Sequence, residues 1–339
     1  ANLARTPSVM AMKGGRGKGE KGGNSGKGSK GGCHDGAYLS RAEKQMHDTI
    51  CRLLKLSPEV RERLEEAESC AFTMKQPAPA LAPPTTTVST LQHTVEASSL
   101  AAAKAAAGLG FRVLMLNFAH GYNCGGGFDH TQGSQEEAIF RESSLFLSLW
   151  PHRREDDGPG VLKRGTWIGE FDAVLPRKEP FYEHTECGGI YSPHVELVGL
   201  EGEVAVATVA AQDTTRNGPF WPELLREKIR TILYMAGEHG HDAVILGAFG
   251  CGYFRNPPEA VARTFQQVLS TEFKGRFRLI LFALLRDKNF PAFETCFPSI
   301  DLMQLPGLLE ESARASASPS SSPAPGTDAP AATRRWKKP

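Results

Sequence analysis

Gly125, Gly126 and Gly127 are followed, after seven intervening residues, by Gln135, Glu136 and Glu137. Three consecutive glycines let a main chain pass close to a ligand, because no Cβ intervenes and positive φ costs little. Two adjacent carboxylates beside such a loop could exchange protons with a substrate. A second run, Gly247, Ala248, Phe249, Gly250, Cys251, Gly252, Tyr253 and Phe254, permits a concave nest of backbone amides, which a following helix start would make more favourable for an anion. Each motif alone has a plain structural explanation. Ser134 and Glu137 fit an S-x-x-E capping box, adjacent acids suit a helix start, and glycine runs are commonly turns. Both loops in one chain, with Tyr253 and Phe254 alongside, suggest a diphosphate ligand carrying ribose. The second run lacks GxxxxGK[ST] and is not GxGxxG followed by an acid on the next strand, which argues against nucleoside triphosphatases and dinucleotide dehydrogenases.

Such loops need strands to carry them. Residues 111–118 (FRVLMLNF), 204–211 (VAVATVAA), 243–246 (AVIL) and 279–285 (LILFALL) are nearly continuous apolar runs, as strands covered on both faces require. Leu224, Leu225, Ile229, Ile232, Leu233 and Ala236 recur at helical spacing, as do Val261, Phe265, Val268 and Leu269. Asn256 is the expected cap of the second helix, with Pro257 in its first turn. Further helices are expected over residues 38–54, over the Ala-rich stretch 91–108, and from Gln135 onward with Ile139, Phe140, Phe146 and Leu149 on one face. This alternation predicts one α/β domain with a largely parallel sheet, and both glycine loops then lie at the carboxyl ends of strands, where such folds bind ligands.

The domain is expected to span residues 37–307. Residues 1–36 form a basic Gly/Lys-rich segment expected to be disordered, and residues 308–339 a Ser/Pro/Ala-rich tail with a basic end, expected to be disordered too. The formal charge of the 339-residue chain is only +1, so the ends could touch nucleic acid weakly but the whole is no polycation. Seven dispersed cysteines without C-x-x-C suit a reducing compartment, nucleus or cytoplasm, and an acid-poor leader leaves organelle targeting open. No run of 18 apolar residues supports a membrane span. His120, His130 and His184 match no metal-site spacing, so no metal is expected, and the chain is expected to act as a monomer.

The segment LNFAHGYNCGGGFDHTQGSQEE resembles the signature of bacterial-type poly(ADP-ribose) glycohydrolases. IYSPHVELV at 190–198 resembles their central segment, and HGHDAVILGAFGCGYFRNPPEAVARTF at 239–265 their diphosphate loop and following helix. The similarity covers residues 37–299; Cys124 stands where many relatives have Pro, and Arg255 where a small residue is common. The resemblance implies a macrodomain-like three-layer α/β/α fold with a central mixed, mostly parallel sheet. It implies cleavage of ribose–ribose O-glycosidic bonds of poly(ADP-ribose), without a cofactor. Glu137 would be the general acid and then base, Glu136 would bond ribose hydroxyls, and Asn123 would bind the distal ribose. Gln135 would fix the loop of Gly125, Gly126 and Gly127 at the substrate. Backbone amides from Gly247 through Phe249, Gly250, Cys251, Gly252 and Tyr253 would hold the pyrophosphate, and Phe254 would pack on the distal ribose. Two other readings use the same loops: a mono-ADP-ribosyl hydrolase acting on protein or DNA conjugates, and a non-catalytic ADP-ribose-binding macrodomain.

Overall fold

The computed structural model describes residues 41–317 apart from 71, 74, 129–132 and 154–181. The basic leader and the tail after 317 lie outside the described residues, as does His130. In chain order the elements are α1 (Arg41–Leu54), α2 (Pro58–Leu64), β1 (Glu68–Cys70), β2 (Leu91–Glu96), α3 (Ser99–Gly108) and β3 (Val113–Phe118). Then come α4 (Gln135–Arg141), α5 (Leu145–Leu149), β4 (Gly189–Glu196), β5 (Glu203–Val209), α6 (Pro222–Glu238) and β6 (Ala243–Leu246). The chain continues through α7 (Pro258–Thr271), β7 (Leu279–Leu284), α8 (Phe290–Cys296), β8 (Ser299–Ile300) and α9 (Leu305–Ala317).

The strands form one sheet in the order β1-β4-β5-β3-β6-β7-β2-β8. From β5 to β8 every pairing is parallel, and β4 is antiparallel to both β1 and β5. Alternate residues feed two apolar cores. Val113, Met115, Ile245 and Leu281 face the layer of α1 to α5, while Leu114, Leu116, Val244, Leu246 and Phe282 face α6, α7 and α8. That two-sided burial is why these strands read as unbroken apolar runs, and it gives the mixed, mostly parallel three-layer arrangement expected.

Three boundaries differ from expectation. Residues 91–96 form a strand, not the start of a helix: Leu91 to Glu96 pair in register with Leu279 to Leu284, and β8 pairs with Thr94 and Val95 from the other side. Sheet pairing overrides the pull of the neighbouring alanines, and the helix begins only where the Ser98 side chain accepts the Ala101 N–H at 3.1 Å. The N-cap of α7 is Pro257 rather than Asn256, for a reason that belongs to the site. Helix α9 runs across the boundary expected at 307. Among the described residues no helix is long and apolar enough to cross a membrane.

Candidate active site

The carboxyl end of β3 delivers the chain into the first glycine loop, and α4 then brings the acids back against it. The Gln135 carboxamide lies on the strand end: its Oε1 accepts the Phe118 N–H at 2.8 Å and its Nε2 donates to Leu116 O at 2.6 Å and Ser99 Oγ at 2.9 Å. Pairing with β6 stops at Met115, so the carboxamide serves as one further rung of the ladder. Gln135 therefore positions the helix; its amide is engaged by the protein itself rather than turned to a ligand.

Glu136 is almost fully buried. Its Oε2 accepts the His120 N–H at 2.7 Å, and its Oε1 lies 3.3 Å from Asn117 Nδ2 and 3.4 Å from the Tyr182 hydroxyl. Glu137 is the more open of the pair, 8% exposed against 1%. Its Oε1 accepts the Gly127 N–H at 3.1 Å and its Oε2 the Ser134 N–H at 3.0 Å. The capping bond is thus present, but the other oxygen ties the acid to the glycine loop, which a cap alone would not do. Gly126 lies in the left-handed region (φ 60°), and a Cβ there would stand 3.3 Å from Glu137 Oε1 and 3.4 Å from Glu136 Oε2. Arg141, one turn beyond Glu137, donates to Phe128 O at 3.0 Å and closes the far end of the loop. Asn123 is exposed, and its N–H donates to His120 Nδ1 at 3.0 Å.

The second loop follows β6. Gly247 is forced by Phe118 Cζ and Ala283 O, each under 3 Å from where a Cβ would stand. The Phe249 ring is in the core, 6.3 Å from the Phe118 ring, so the residue offers a ligand only backbone. The amides of Phe249 and Cys251 donate to Gly247 O and Ala248 O. Among the described residues this leaves Ala248, Gly250, Gly252, Tyr253 and Phe254 as amides after Gly247 outside those turn bonds. The Cys251 thiol is buried, and burial pushes its pKa up to about 12, so it is no nucleophile. Asn256 does not cap α7 because its Nδ2 is turned into the loop, donating to Gln212 O at 2.8 Å and Gly250 O at 3.1 Å. Arg255 takes a left-handed φ of 57° beside it. Tyr253 is 69% exposed, whereas Phe254 is buried edge-on against the His184 ring at 4.6 Å.

The two halves meet at His120. Its ring lies 6.2 Å from that of Phe254, and its backbone N–H holds Glu136. A third loop after β5 completes the wall: the Thr214 hydroxyl donates to Phe254 O at 2.6 Å, and Asn217 Nδ2 donates to Tyr122 Oη at 3.2 Å. Tyr182, His184 and this third loop lie outside every motif read from the sequence, and although Asn117, His120 and Asn256 lie within the quoted segments, nothing in a single sequence signals their roles. A separate cavity of about 480 Å³ lies at the β4–β5 turn, lined by Arg52, Glu196, Val198 and Glu203. It is at the opposite end of the strands and shares no residue with either loop. Among the described residues no group of three His, Cys, Asp or Glu side chains is placed to hold a metal ion.

Burial dominates Glu136 and pushes its pKa up to about 8 from 4.5, against the hydrogen bonds it accepts, with the neighbouring Glu137 charge adding to the rise. Below 4.5 the carboxyl is protonated folded or unfolded and contributes no pH dependence. Between 4.5 and 8 the unfolded chain releases the proton that the folded chain keeps, so this group lowers stability as pH rises through that window. Glu136→Gln should therefore lose less stability than wild type between those limits. Thermal melts across the window check this, and parallel curves for the two proteins would refute it.

Residues 54–198 match the family model of the microbial-type PARG catalytic domain. A search of curated protein sequences finds no match. Among solved structures the chain is similar to poly(ADP-ribose) glycohydrolase from Thermomonospora curvata, with 24% identity over 76% of this chain and 99% of that one and a TM-score of 0.58. The same enzyme bound to the inhibitor ADP-HPD aligns at 25% identity over the same shares with a TM-score of 0.56. A mutant of the poly(ADP-ribose) glycohydrolase from Deinococcus radiodurans, in complex with ADP-ribose, aligns at 23% identity over 71% of this chain and 97% of that one, TM-score 0.50. Residues 54–198, the stretch that matches the microbial-type PARG catalytic domain, carry both the triple glycine and the acid pair.

Proposed function

We propose that this protein hydrolyses the ribose–ribose O-glycosidic bonds of poly(ADP-ribose) and releases ADP-ribose. The observation that carries the proposal is the junction at His120, which sets an acid pair held by glycine-loop amides beside a nest of amides closed by Phe254. The nest takes the diphosphate through Gly250, Gly252 and Tyr253, and Phe254 supports the distal ribose with Asn123 at its rim. The pair enters with a proton, kept on Glu136 in the free protein by burial. A ribose hydroxyl donating to Glu136 favours its ionised form, which leaves the proton to Glu137, the more open carboxyl. Glu137 then protonates the departing ribose oxygen as an oxocarbenium-like centre forms, and takes a proton from the water that attacks the anomeric carbon.

The test is to incubate the protein with purified poly(ADP-ribose), ADP-ribosylated protein and ADP-ribosylated DNA, and to measure free ADP-ribose. Release from the polymer is expected. Turnover of protein or DNA conjugates alone would replace this reading with a mono-ADP-ribosyl hydrolase, and ADP-ribose binding without any turnover would replace it with a reader.

A further inference from the structure

The segment 182–187 enters β4 and is strapped to the body by a buried lysine. Lys228, in the middle of α6, is wholly buried, and its Nζ donates to Glu183 O at 3.0 Å and to Glu186 O. From this strap two side chains reach the acid-bearing loop. The Tyr182 hydroxyl reaches Glu136 Oε1, and His184 lies under the turn that begins at His120.

His184 has a defined tautomer. Its Nδ1 is 2.6 Å from Ala211 O, and a carbonyl only accepts, so the proton is on Nδ1. Nε2 is then an acceptor, and the Gly121 N–H donates to it at 3.1 Å. Burial holds the imidazole neutral, with a pKa lowered to about 4. A second observation comes from Gly121: a Cβ there would stand 2.6 Å from His184 Cδ2 and 2.8 Å from Nε2. Ring edge and main chain are in a close contact that only glycine permits. From Gly121 the turn runs in both directions to the acids. One residue back, the His120 N–H holds Glu136; forward, the Asn123 N–H bonds His120 Nδ1, the Gly126 N–H bonds Asn123 O at 3.0 Å, and the Gly127 N–H holds Glu137.

We propose that His184 is a positioning residue for the acid pair: a fixed, uncharged acceptor that sets the 120–127 turn, on a strap anchored by Lys228. Its kinetic consequence rests on the hydrolase reading above. His184→Phe keeps a ring against Tyr122 and Phe254 but removes donor and acceptor. Displacing the acids by an ångström or less is then expected to lower kcat on poly(ADP-ribose) by about 10- to 100-fold, with ADP-ribose affinity by calorimetry near the wild-type value. Gly121→Ala, which pushes a methyl into the ring, should do the same from the other side. His184→Gln places a carboxamide oxygen near the position of Nε2 and should recover part of kcat relative to Phe.

Amide deuterium exchange over residues 120–127, measured on the full chain, needs no turnover and should be faster in His184→Phe. If wild type fails to hydrolyse the polymer, the hydrolase reading is lost while the exchange data still judge the strap. Wild-type kcat or wild-type exchange in His184→Phe, or a Gln variant no better than Phe, overturns the proposal. Should His184→Phe fail to fold, Gly121→Ala carries the same kinetic and exchange comparison.

Discussion

Glu137→Gln is expected to lower ADP-ribose release from poly(ADP-ribose) by about 10²- to 10⁴-fold, the usual contribution of a positioned acid and base. Binding of ADP-ribose should survive, because the side chain keeps its length and the proposed diphosphate nest is untouched. The substitution is not isosteric in hydrogen bonding. Both carboxylate oxygens accept backbone N–H groups, from Gly127 and from Ser134, whereas a carboxamide has one acceptor and turns an NH₂ toward the other donor. One N–H is left unmet, at about 1–3 kcal/mol, so a lowered Tm should accompany the kinetic loss. Single-turnover kinetics separate the two effects, since a fold defect lowers the active fraction and a missing acid lowers the rate of the active molecules. Retained hydrolysis by a folded Glu137→Gln protein would sink the mechanism, and the role would pass to Glu136.

The parts of this site that are legible in the sequence are those in which backbone carries the function. Glycine runs reveal themselves because glycine takes the left-handed conformation at little cost and most other residues only under strain, as at Gly126 and Gly250. Buried parallel strands reveal themselves because both faces must be apolar, which is why the apolar runs lie close to the true bounds of β3, β5, β6 and β7. Side chains that act across long sequence distances leave no such trace. His184 serves Gly121 across 63 residues, and Asn256 serves Gln212 across 44; neither relation produces a spacing pattern. Asn256 shows how a local rule misleads: Asn before Pro is a good cap, but a buried carbonyl in need of a donor claims the side chain first. Strand β2 escapes for a related reason, because pairing partners 188 residues away decide its state and local composition favours helix.

The second glycine loop yields the largest structural effect. Gly250→Ala is expected to destabilise the protein by about 3–5 kcal/mol, the range of severe single substitutions, and to abolish measurable ADP-ribose binding. Two costs add. An alanine held at φ 73° loses about 1–2 kcal/mol relative to glycine. Its Cβ would also stand 2.3 Å from Asn256 Nδ2 and 2.5 Å from Ala211 Cβ, so either Asn256 leaves Gln212 O without a donor or the end of β5 retreats. An orphaned buried carbonyl costs about 1–3 kcal/mol, and retreat of Ala211 would disturb the carbonyl on which His184 rests. Gly252 is the internal control, since nothing lies within 4 Å of the position its Cβ would take. Gly252→Ala should melt like wild type. If the loop amides approach a diphosphate closely, that variant should still bind ADP-ribose more weakly, because the added methyl meets the ligand rather than the protein. A wild-type Tm in Gly250→Ala would refute the packing account of this loop, and wild-type affinity in Gly252→Ala would move the diphosphate elsewhere.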